Sequence, residues 1–199
     1  GVPRLSAATR DERRQRFIQG AWRCAARKGY RDTTIDDVCV ETGLSKGAFY
    51  GYFESKQDLL LALLEEEAAS IDRLMDELEN AGLIGTDRLR RFARGMLERG
   101  ENSSQVQVTA DLWTAMTTEP AVRAAFVASH RHRRERLRSW IEGGIAAGEL
   151  SDIPANALAA LLLALADGLL LHGSLDPKGF RWSNIQRAVD ILLASVGRR

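Results

Sequence analysis

Apolar residues recur at the period of an α-helix along almost the whole chain. In one segment after another they lie three or four positions apart, which is the spacing of one helix face. No segment alternates with the two-residue period of a β-strand, and no internal repeat is present. The pattern predicts an all-α fold of about nine helices. They cover roughly residues 10–28, 35–42, 46–53, 56–80, 86–100, 106–117, 120–147, 154–174 and 185–196.

The second predicted helix carries start and stop signals at both of its ends. Thr33 and Thr34 are each suited to N-cap it, with Asp36 or Asp37 completing a capping box three residues later. Gly43 follows the helix and can adopt the left-handed conformation that a tight turn between helices requires. The sequence therefore predicts a short capped helix that ends in a sharp turn.

A third short helix begins directly after that turn. Ser45 is its predicted N-cap, and Phe49 and Phe53 share the apolar face. Lys46 and Tyr50 fall on the opposite, solvent-facing side. Two short helices joined by a glycine turn, with polar residues exposed on the second, predict a helix-turn-helix whose second helix enters a DNA major groove.

Charge is distributed unevenly although the net charge is only +1. Residues 1–57 contain 11 Lys and Arg against 7 Asp and Glu, whereas residues 58–199 contain 17 against 20. A basic segment joined to a mildly acidic one is typical of a phosphate-binding module attached to another module. We therefore expect a DNA-binding domain at 1–57, with 1–9 as a flexible tail, and a second helical domain at 58–199.

The segment GYRDTTIDDVCVETGLSKGAFYGYFESKQDLL, residues 29–60, resembles the DNA-binding domain of the TetR family of bacterial transcriptional regulators. The shared features are a glycine-aromatic pair before the threonines, GLSKG at the turn, an aromatic run after it, and Ser-Lys opening the next helix. The resemblance implies a three-helix head, joined by a long fourth helix to a helical domain that binds ligands and dimerises. Gly51 departs from the family, which usually has a larger side chain at this position.

By the same resemblance, two groups of residues in the head contact DNA. The threonines before the second helix, Tyr50 and Lys56 bind phosphates, which agrees with the preference of helix N-termini and of Lys and Tyr for phosphate oxygens. The residues that open the third helix, together with Tyr52, face base edges. The complete set of expected DNA-binding residues is Thr33, Thr34, Ser45, Lys46, Gly47, Ala48, Tyr50, Tyr52 and Lys56.

The last two predicted helices carry more apolar surface than one domain needs. The eighth is apolar on nearly all sides, so it must be covered on two faces. A two-fold dimer that pairs these helices with their copies would cover the excess, as the resemblance also implies. The expected interface residues are Leu162, Leu169, Ile185, Val189, Leu192, Leu193 and Val196.

The fifth to eighth helices supply large apolar side chains that could surround an effector cavity. The expected lining residues are Phe92, Met96, Trp113, Met116, Phe126, Trp140 and Leu165. Close packing of these residues in an ordinary core is the alternative for each of them. We expect a mostly apolar or aromatic effector, with Asp167, His130 or Asn102 as a polar anchor, and the fourth helix as the mechanical link to the head.

Sequence signatures of common enzymes are missing from this chain. It has no nucleophile elbow, glycine-rich phosphate loop, HExxH or CxxC. Asp167 lies in the apolar eighth helix and could be catalytic, but a hydrogen-bonded carboxylate at the dimer seam or cavity wall is the preferred interpretation. We therefore predict no enzyme activity, no cofactor and no metal. A helical ligand-binding or interaction protein without DNA function is the alternative; Thr34, Tyr50 and Lys56 argue against it.

Three further features complete the prediction. Cys24 and Cys39 fall on apolar helix faces and are interpreted as buried free thiols, with a redox switch as the alternative. The basic run at 130–138 is interpreted as a solvated helix face rather than a second nucleic-acid site. The longest apolar run, 157–166, is shorter than the ~20 residues of a membrane span, which favours a cytoplasmic protein. The sequence thus predicts a dimeric, ligand-responsive repressor that binds a palindromic operator and is released by its effector.

Overall fold

Helices form the architecture of the chain. The structure, a computed structural model, describes residues 7–101, 103–176 and 178–198. Within these ranges there are nine α-helices and no strand, apart from an isolated bridge between Leu150 and Gly197. The helices are α1 (Ala7–Lys28), α2 (Ile35–Thr42), α3 (Lys46–Tyr50), α4 (Lys56–Asn80), α5 (Gly85–Glu101), α6 (Ser103–Thr118), α7 (Pro120–Ala146), α8 (Ala155–Leu175) and α9 (Trp182–Val196).

The all-α prediction is confirmed, and the helix boundaries differ from the predicted ones by a few residues. Helix α1 begins at Ala7, so residues 7–9 belong to a helix and not to the expected flexible tail. Helix α6 begins at Ser103, three positions before the apolar stripe from which it was predicted. Polar residues can extend a helix beyond its apolar face, which is why periodicity locates helix ends poorly.

An aromatic cluster fixes the short helix α3 in the head, which is the part formed by α1–α3. Phe49 contacts Phe17 of α1 edge to face, with ring centroids 5.4 Å apart, and lies 5.4 Å from Phe53. All three rings are buried. A helix of five residues is unstable in isolation, because too few hydrogen bonds form to offset the cost of nucleation. Its orientation therefore depends on these ring contacts.

The apolar core of the head continues into helix α6. Val108, Leu112 and Met116 of α6 are buried in the same cluster as the head residues, and Val122 of α7 joins them. Helix α4 contributes Leu63 to this cluster and extends beyond it into the body, the part formed by α5–α9. The apolar core of the head continues past residue 57, so the core does not mark the expected domain boundary there. That boundary stays a prediction.

A second core fills the body and is closed by a polar contact between α4 and α7. Its residues come from the end of α4 and from α5, α7, α8 and α9. Arg136 of α7 pairs with Asp76 at 2.7 Å and with Glu79 at 2.9 Å, both on α4. Trp140 donates its indole N–H to Glu79 at 2.7 Å. These bonds hold the C-terminal half of α4 against α7.

Helix α8 presents apolar side chains outward as well as inward. Residues 155–173 are long and apolar enough to cross a membrane by length and composition alone, with a mean hydropathy of 1.7 over this segment. The core helix of a soluble protein passes the same test of length and composition, but such a helix is mostly buried. Only 22% of this segment is buried within the chain. Its outer face therefore lacks cover from this chain.

Removing the central ring of the aromatic cluster should destabilise the fold. We expect Phe49→Ala to lower the free energy of unfolding by about 3–5 kcal/mol, as truncation of a buried Phe generally does. Val40→Ala, at an exposed position of α2, is the control and should change it by less than about 0.5 kcal/mol. Urea denaturation followed by circular dichroism measures both; equal effects of the two changes would contradict the role given to Phe49.

Candidate nucleic-acid interface and internal cavity

Helix α2 is capped by one of the two predicted threonines. Thr34 accepts a hydrogen bond from the Asp37 N–H at 3.1 Å, and Asp37 accepts one from the Thr34 N–H at 2.7 Å. The Lys28 ammonium and the Thr34 side chain hold the pKa of Asp37 well below its usual range. Thr33 is only 2% exposed and donates its hydroxyl to the Gly29 carbonyl. Thr33 is therefore a structural residue that cannot reach a phosphate, whereas Thr34 is exposed.

Helix α3 exposes one side to solvent. Gly43 has a φ of 66°, so the turn before this helix needs the freedom of glycine. Ser45 caps α3 by accepting from the Ala48 N–H at 3.1 Å. Lys46 and Tyr50 are exposed, and Lys46 pairs with Asp36 of α2 at 2.7 Å.

The other residues expected to face bases differ in their exposure. Gly47 is open to solvent, while Ala48 and Tyr52 are half-buried and pack partly against the head core. The ring of Tyr52 lies 5.9 Å from that of Phe17. The surface that this side of the head offers therefore consists mainly of Ser45, Lys46, Gly47 and Tyr50.

The Lys56 side chain turns toward the α1–α2 loop. Its ammonium donates to the Arg31 carbonyl at 2.8 Å and lies 4.7 Å from the centre of the Tyr30 ring. Partial burial lowers the pKa of Lys56. The expected phosphate contact of Lys56 stays a prediction, and in this structure the same group also stabilises the loop.

A junction between the head and α6 lies beside Lys56. The Tyr30 N–H donates to the Asp111 carboxylate, and Gln57 donates to Glu119 at 2.9 Å. The residues of both contacts line a hollow of about 520 Å³. Gly29 has a φ of +84°, and a Cβ at this position would meet the Asp111 carboxylate at 3.0 Å. Sequence reasoning missed Asp111, because its partner is 81 positions away.

An apolar cavity of about 330 Å³ lies between α4, α5, α6, α7 and α8. It brings together four of the seven expected lining residues. They are Met96, Trp113, Met116 and Phe126. Leu112 and Met116 of α6 line this cavity and are also part of the head core. Helix α6 thus contacts both the cavity and the head, as does α4, the expected mechanical link, through Leu64 and Leu63.

The other three expected lining residues lie elsewhere. Phe92 and Trp140 pack edge to face in the body core, with ring centroids 5.9 Å apart, as the close-packing alternative anticipated. Leu165 lies on the partly exposed side of α8. Periodicity identifies a helix face but not whether that face meets a cavity or a neighbouring helix. Asn102, an expected polar anchor, lies outside the described residues.

The polar wall of the cavity contains His130, Arg133 and Asp167. His130 Nε2 is 2.8 Å from Asp167 Oδ2, and its ring stacks on Phe126 with centroids 3.8 Å apart. Arg133 is only 7% exposed. Burial lowers the pKa of Arg133, while carboxylates that include Glu67 act in the opposite direction. Two of the expected anchors thus lie in the wall, and Arg133 joins them unexpectedly.

The basic run at 130–138 is divided between different environments. Arg133 enters the cavity wall, and Arg136 pairs with α4, so the interpretation of the run as one solvated face is wrong at these two positions. Arg138 pairs with Glu142 of its own helix at 2.5 Å. The run was misjudged because charge patterns do not reveal which turn of a long helix passes under other elements.

The two cysteines are free and buried, as the sequence predicted. Burial raises the pKa of both the Cys24 and the Cys39 thiols. Among the described residues, no group of three or more His, Cys, Asp or Glu side chains is placed to hold a metal ion.

The residues expected at a dimer interface divide between two sides of α8 and α9. Val189 and Leu193 are buried in the core of their own chain, so they are not available to a partner. Leu162, Leu169, Ile185 and Val196 are partly buried against the same core. Leu192 is 59% exposed, and two unpredicted residues accompany it: Leu161 at 66% and Ile191 at 63%. The apolar stripe predicted for α9 is broad enough to reach from the buried side of the helix to its exposed side.

Family models match both parts of the chain. The model described as bacterial regulatory proteins, tetR family, matches residues 17–63. The model described as BetI-type transcriptional repressor, C-terminal, matches residues 85–198. The first match contains the helix-turn-helix, and the second contains α5–α9 with most of the cavity wall.

Curated relatives similar to this chain are transcriptional repressors. The repressor AcnR of Corynebacterium glutamicum is 28% identical over 94% of this chain and 93% of its own length. The repressor Rv1474c of Mycobacterium tuberculosis is 26% identical over 99% of this chain and its own full length.

Solved structures share the fold. A transcriptional regulator from Saccharomonospora viridis, solved in complex with choline, has a TM-score of 0.81 and 26% identity over 95% of this chain and all of its own. A TetR transcription regulator from Haloarcula marismortui has a TM-score of 0.82 and 20% identity over 94% of this chain and all of its own, which shows the fold alone.

The junction between the head and α6 should depend on the Asp111 carboxylate. We expect Asp111→Ala to lower the free energy of unfolding by about 1–3 kcal/mol, because the Tyr30 N–H loses its acceptor. Asp111→Asn keeps an acceptor oxygen and should cost less, and Asp87→Ala on the exposed start of α5 is the control. Hydrogen exchange should show loss of protection at the Tyr30 amide; unchanged exchange in Asp111→Ala would contradict the contact.

Proposed function

Because the chain belongs to the tetR family of bacterial regulatory proteins, we propose that it is a repressor that binds a palindromic operator as a homodimer and leaves it when a small molecule binds. Its homologues are DNA-binding transcriptional regulators and not enzymes, and this chain is a DNA-binding regulator like them. The proposal rests chiefly on the position of α6, which lines the cavity with the same residues that pack into the head core. We assign this role to the cytoplasm, where bacterial DNA lies.

The exposed side of α3 is our proposed DNA-reading surface. Lys46 and Gly47 are accessible at its start, where a recognition helix approaches base edges. Tyr50, one helical turn later, is exposed and can donate its hydroxyl to a phosphate. Thr34 lies at the N-terminus of α2 and Lys56 at that of α4, where backbone N–H groups favour anions. Lys46 must leave Asp36 to contact DNA, so binding exchanges one ion pair for another.

The exposed apolar side chains of α8 and α9 support a homodimer. Leu161 and Leu165 lie one turn apart on α8, and Ile191 and Leu192 are exposed on α9. Large exposed apolar side chains of this kind are typical of an interface when they form a patch. A two-fold dimer would present two copies of α3, which reach successive major grooves when they are about 34–36 Å apart. Such symmetry requires a palindromic operator.

The cavity is our proposed effector site, and α6 is the proposed route to the head. The similar S. viridis regulator was solved in complex with choline, which supports a small-molecule effector for this chain. A ligand that displaced Trp113 or Met116 would move α6. Asp111 of α6 would then move the α1–α2 loop, because it accepts a hydrogen bond from the Tyr30 N–H. Release of DNA follows only if the ligand prefers the arrangement in which the heads do not fit the operator, since equal affinity shifts no equilibrium.

A ligand-binding protein without DNA function is the weaker alternative. It would explain the cavity, but it gives no reason for the capped helices and exposed polar side of the head. Binding of genomic DNA fragments by the purified chain, with an affinity that falls as salt rises, separates the two functions. No binding at low salt would exclude the regulator.

The two lysines of the head should affect DNA binding differently. On operator fragments selected from genomic DNA, we expect Lys56→Ala to weaken binding to all sequences and to reduce the salt slope by about one unit. Lys46→Ala should lose roughly 1–3 kcal/mol of discrimination between operator and mutated operator. Lys178→Ala, exposed in the body, is the control. Thermal stability is measured in parallel, because Lys56 also holds the Arg31 carbonyl. Uniform effects of both lysines would contradict the assignment of Lys46.

A charge on the exposed side of α9 should separate the protomers. We expect Leu192→Glu to yield monomers at micromolar concentration in sedimentation velocity, and to bind operator much more weakly than the wild type. Ile84→Glu makes the same kind of change at an exposed site in the α4–α5 turn and should leave the mass unchanged. A monomeric wild-type protein, or a dimeric Leu192→Glu variant with full operator affinity, would contradict the proposed interface.

A further inference from the structure

Arg133 is a buried cation in the cavity wall that has no partner in the described part of the chain. Its side chain lines the cavity, and only 7% of the residue is exposed. Its Nε is inaccessible and bonds to no acceptor, and no described carboxylate oxygen forms an ion pair with it. Burying a charge without hydrogen bonds is strongly unfavourable. A buried guanidinium without hydrogen bonds from the protein therefore indicates a ligand that accepts hydrogen bonds from it.

The acidic groups of the wall are occupied elsewhere or lie beyond ion-pair distance. Asp167 bonds to His130 at 2.8 Å, and Glu67 bonds to Arg99 at 2.6 Å. Together with Asp72 they favour the charged form of Arg133, without providing hydrogen bonds to it. A cationic ligand would have to displace one of these partners, whereas an anionic ligand finds a free donor.

Apart from Arg133, His130, Asp167, Glu65, Glu67 and Ser129, the cavity lining is apolar or aromatic. The rings of Trp113 and Phe126 have centroids 6.1 Å apart, and Met116 lies on the same helix as Trp113. A guanidinium binds carboxylate and phosphate through two parallel N–H bonds. A buried guanidinium beside mainly apolar and aromatic side chains fits an amphipathic molecule rather than a purely polar one.

We propose that Arg133 binds an anionic oxygen group of the effector, a carboxylate or a phosphate, while the apolar part of the effector lies against Trp113, Met116 and Phe126. This inference rests on the proposed function, because it names the chemistry of the effector that releases DNA. It also narrows the expectation from the sequence, a mostly apolar or aromatic effector, by giving that effector an anionic group.

A set of three probes with one apolar chain and different head groups tests the charge. Octanoate, octanol and octyltrimethylammonium are titrated into the full-length protein by calorimetry. We expect octanoate to bind roughly ten- to a hundredfold more tightly than octanol, the range for hydrogen bonds to a charged group. Octyltrimethylammonium should bind no more tightly than octanol.

Variants at Arg133 assign the preference to one side chain. Arg133→Met should remove the difference between octanoate and octanol while keeping octanol binding, and Arg133→Lys should retain part of it. Arg131→Met, exposed on the same helix, should leave the preference intact. Without ligand, Arg133→Met should melt at a higher temperature than the wild type, because an unpaired buried charge is gone.

Two results would overturn the inference: octanoate that binds no better than octanol, or a preference that persists in Arg133→Met. Tightest binding of octyltrimethylammonium would show instead that the site selects cations. Operator release distinguishes this inference from the proposed function. If octanoate binds through Arg133 but leaves operator affinity unchanged, the site is correct and the proposed switch is wrong. If octanoate shows no preference that depends on Arg133 but another ligand releases operator equally from wild type and Arg133→Met, the switch stands and the anion site fails.

Discussion

The apolar core shared by the head and α6 is the constraint on which the rest of this structure depends. Helix α3 has five residues and no stability of its own, so its direction is set by Phe17, Phe49 and Phe53. Those rings belong to the cluster that also buries Leu112 and Met116 of α6. A close-packed core deforms little and transmits displacement, so the orientation of the proposed DNA-reading surface depends on the position of a helix in the other half of the chain.

Polar contacts at the junction between the head and α6 fix the loop between α1 and α2. Asp111 holds the Tyr30 N–H, and Lys56 holds the Arg31 carbonyl, so the loop between α1 and α2 is fixed from two sides. Because α2 and α3 follow that loop directly, a shift of α6 reaches them through main-chain contacts as well as through the core. In the proposed switch, an effector would act through its different affinities for two positions of α6.

Local features of this fold could be predicted from the sequence, and long-range ones could not. The cap at Thr34, the turn at Gly43 and the cap at Ser45 depend on residues within four positions, and each was anticipated. The bond of Asp111 to Tyr30 and the burial of Arg133 depend on how distant helices meet, which periodicity does not encode. The same limit explains why four expected cavity residues line the cavity and three do not.

The division of α9 shows what an apolar stripe does and does not specify. A stripe at offsets 0, 3, 4, 7, 8 and 11 covers an arc wide enough to contact two neighbours. Val189 and Leu193 take the inner part of that arc, which leaves Leu192 and Ile191 on the outer part. The inner residues are buried within the single chain and stabilise it. The outer residues can be buried only when another molecule covers them. Helix α5 packs against both α8 and α9 and also lines the cavity through Met96, so the proposed interface and the proposed effector site share one helix layer. In the proposed dimer, a ligand that shifts this layer would therefore alter the spacing between the two heads as well as the tilt of each.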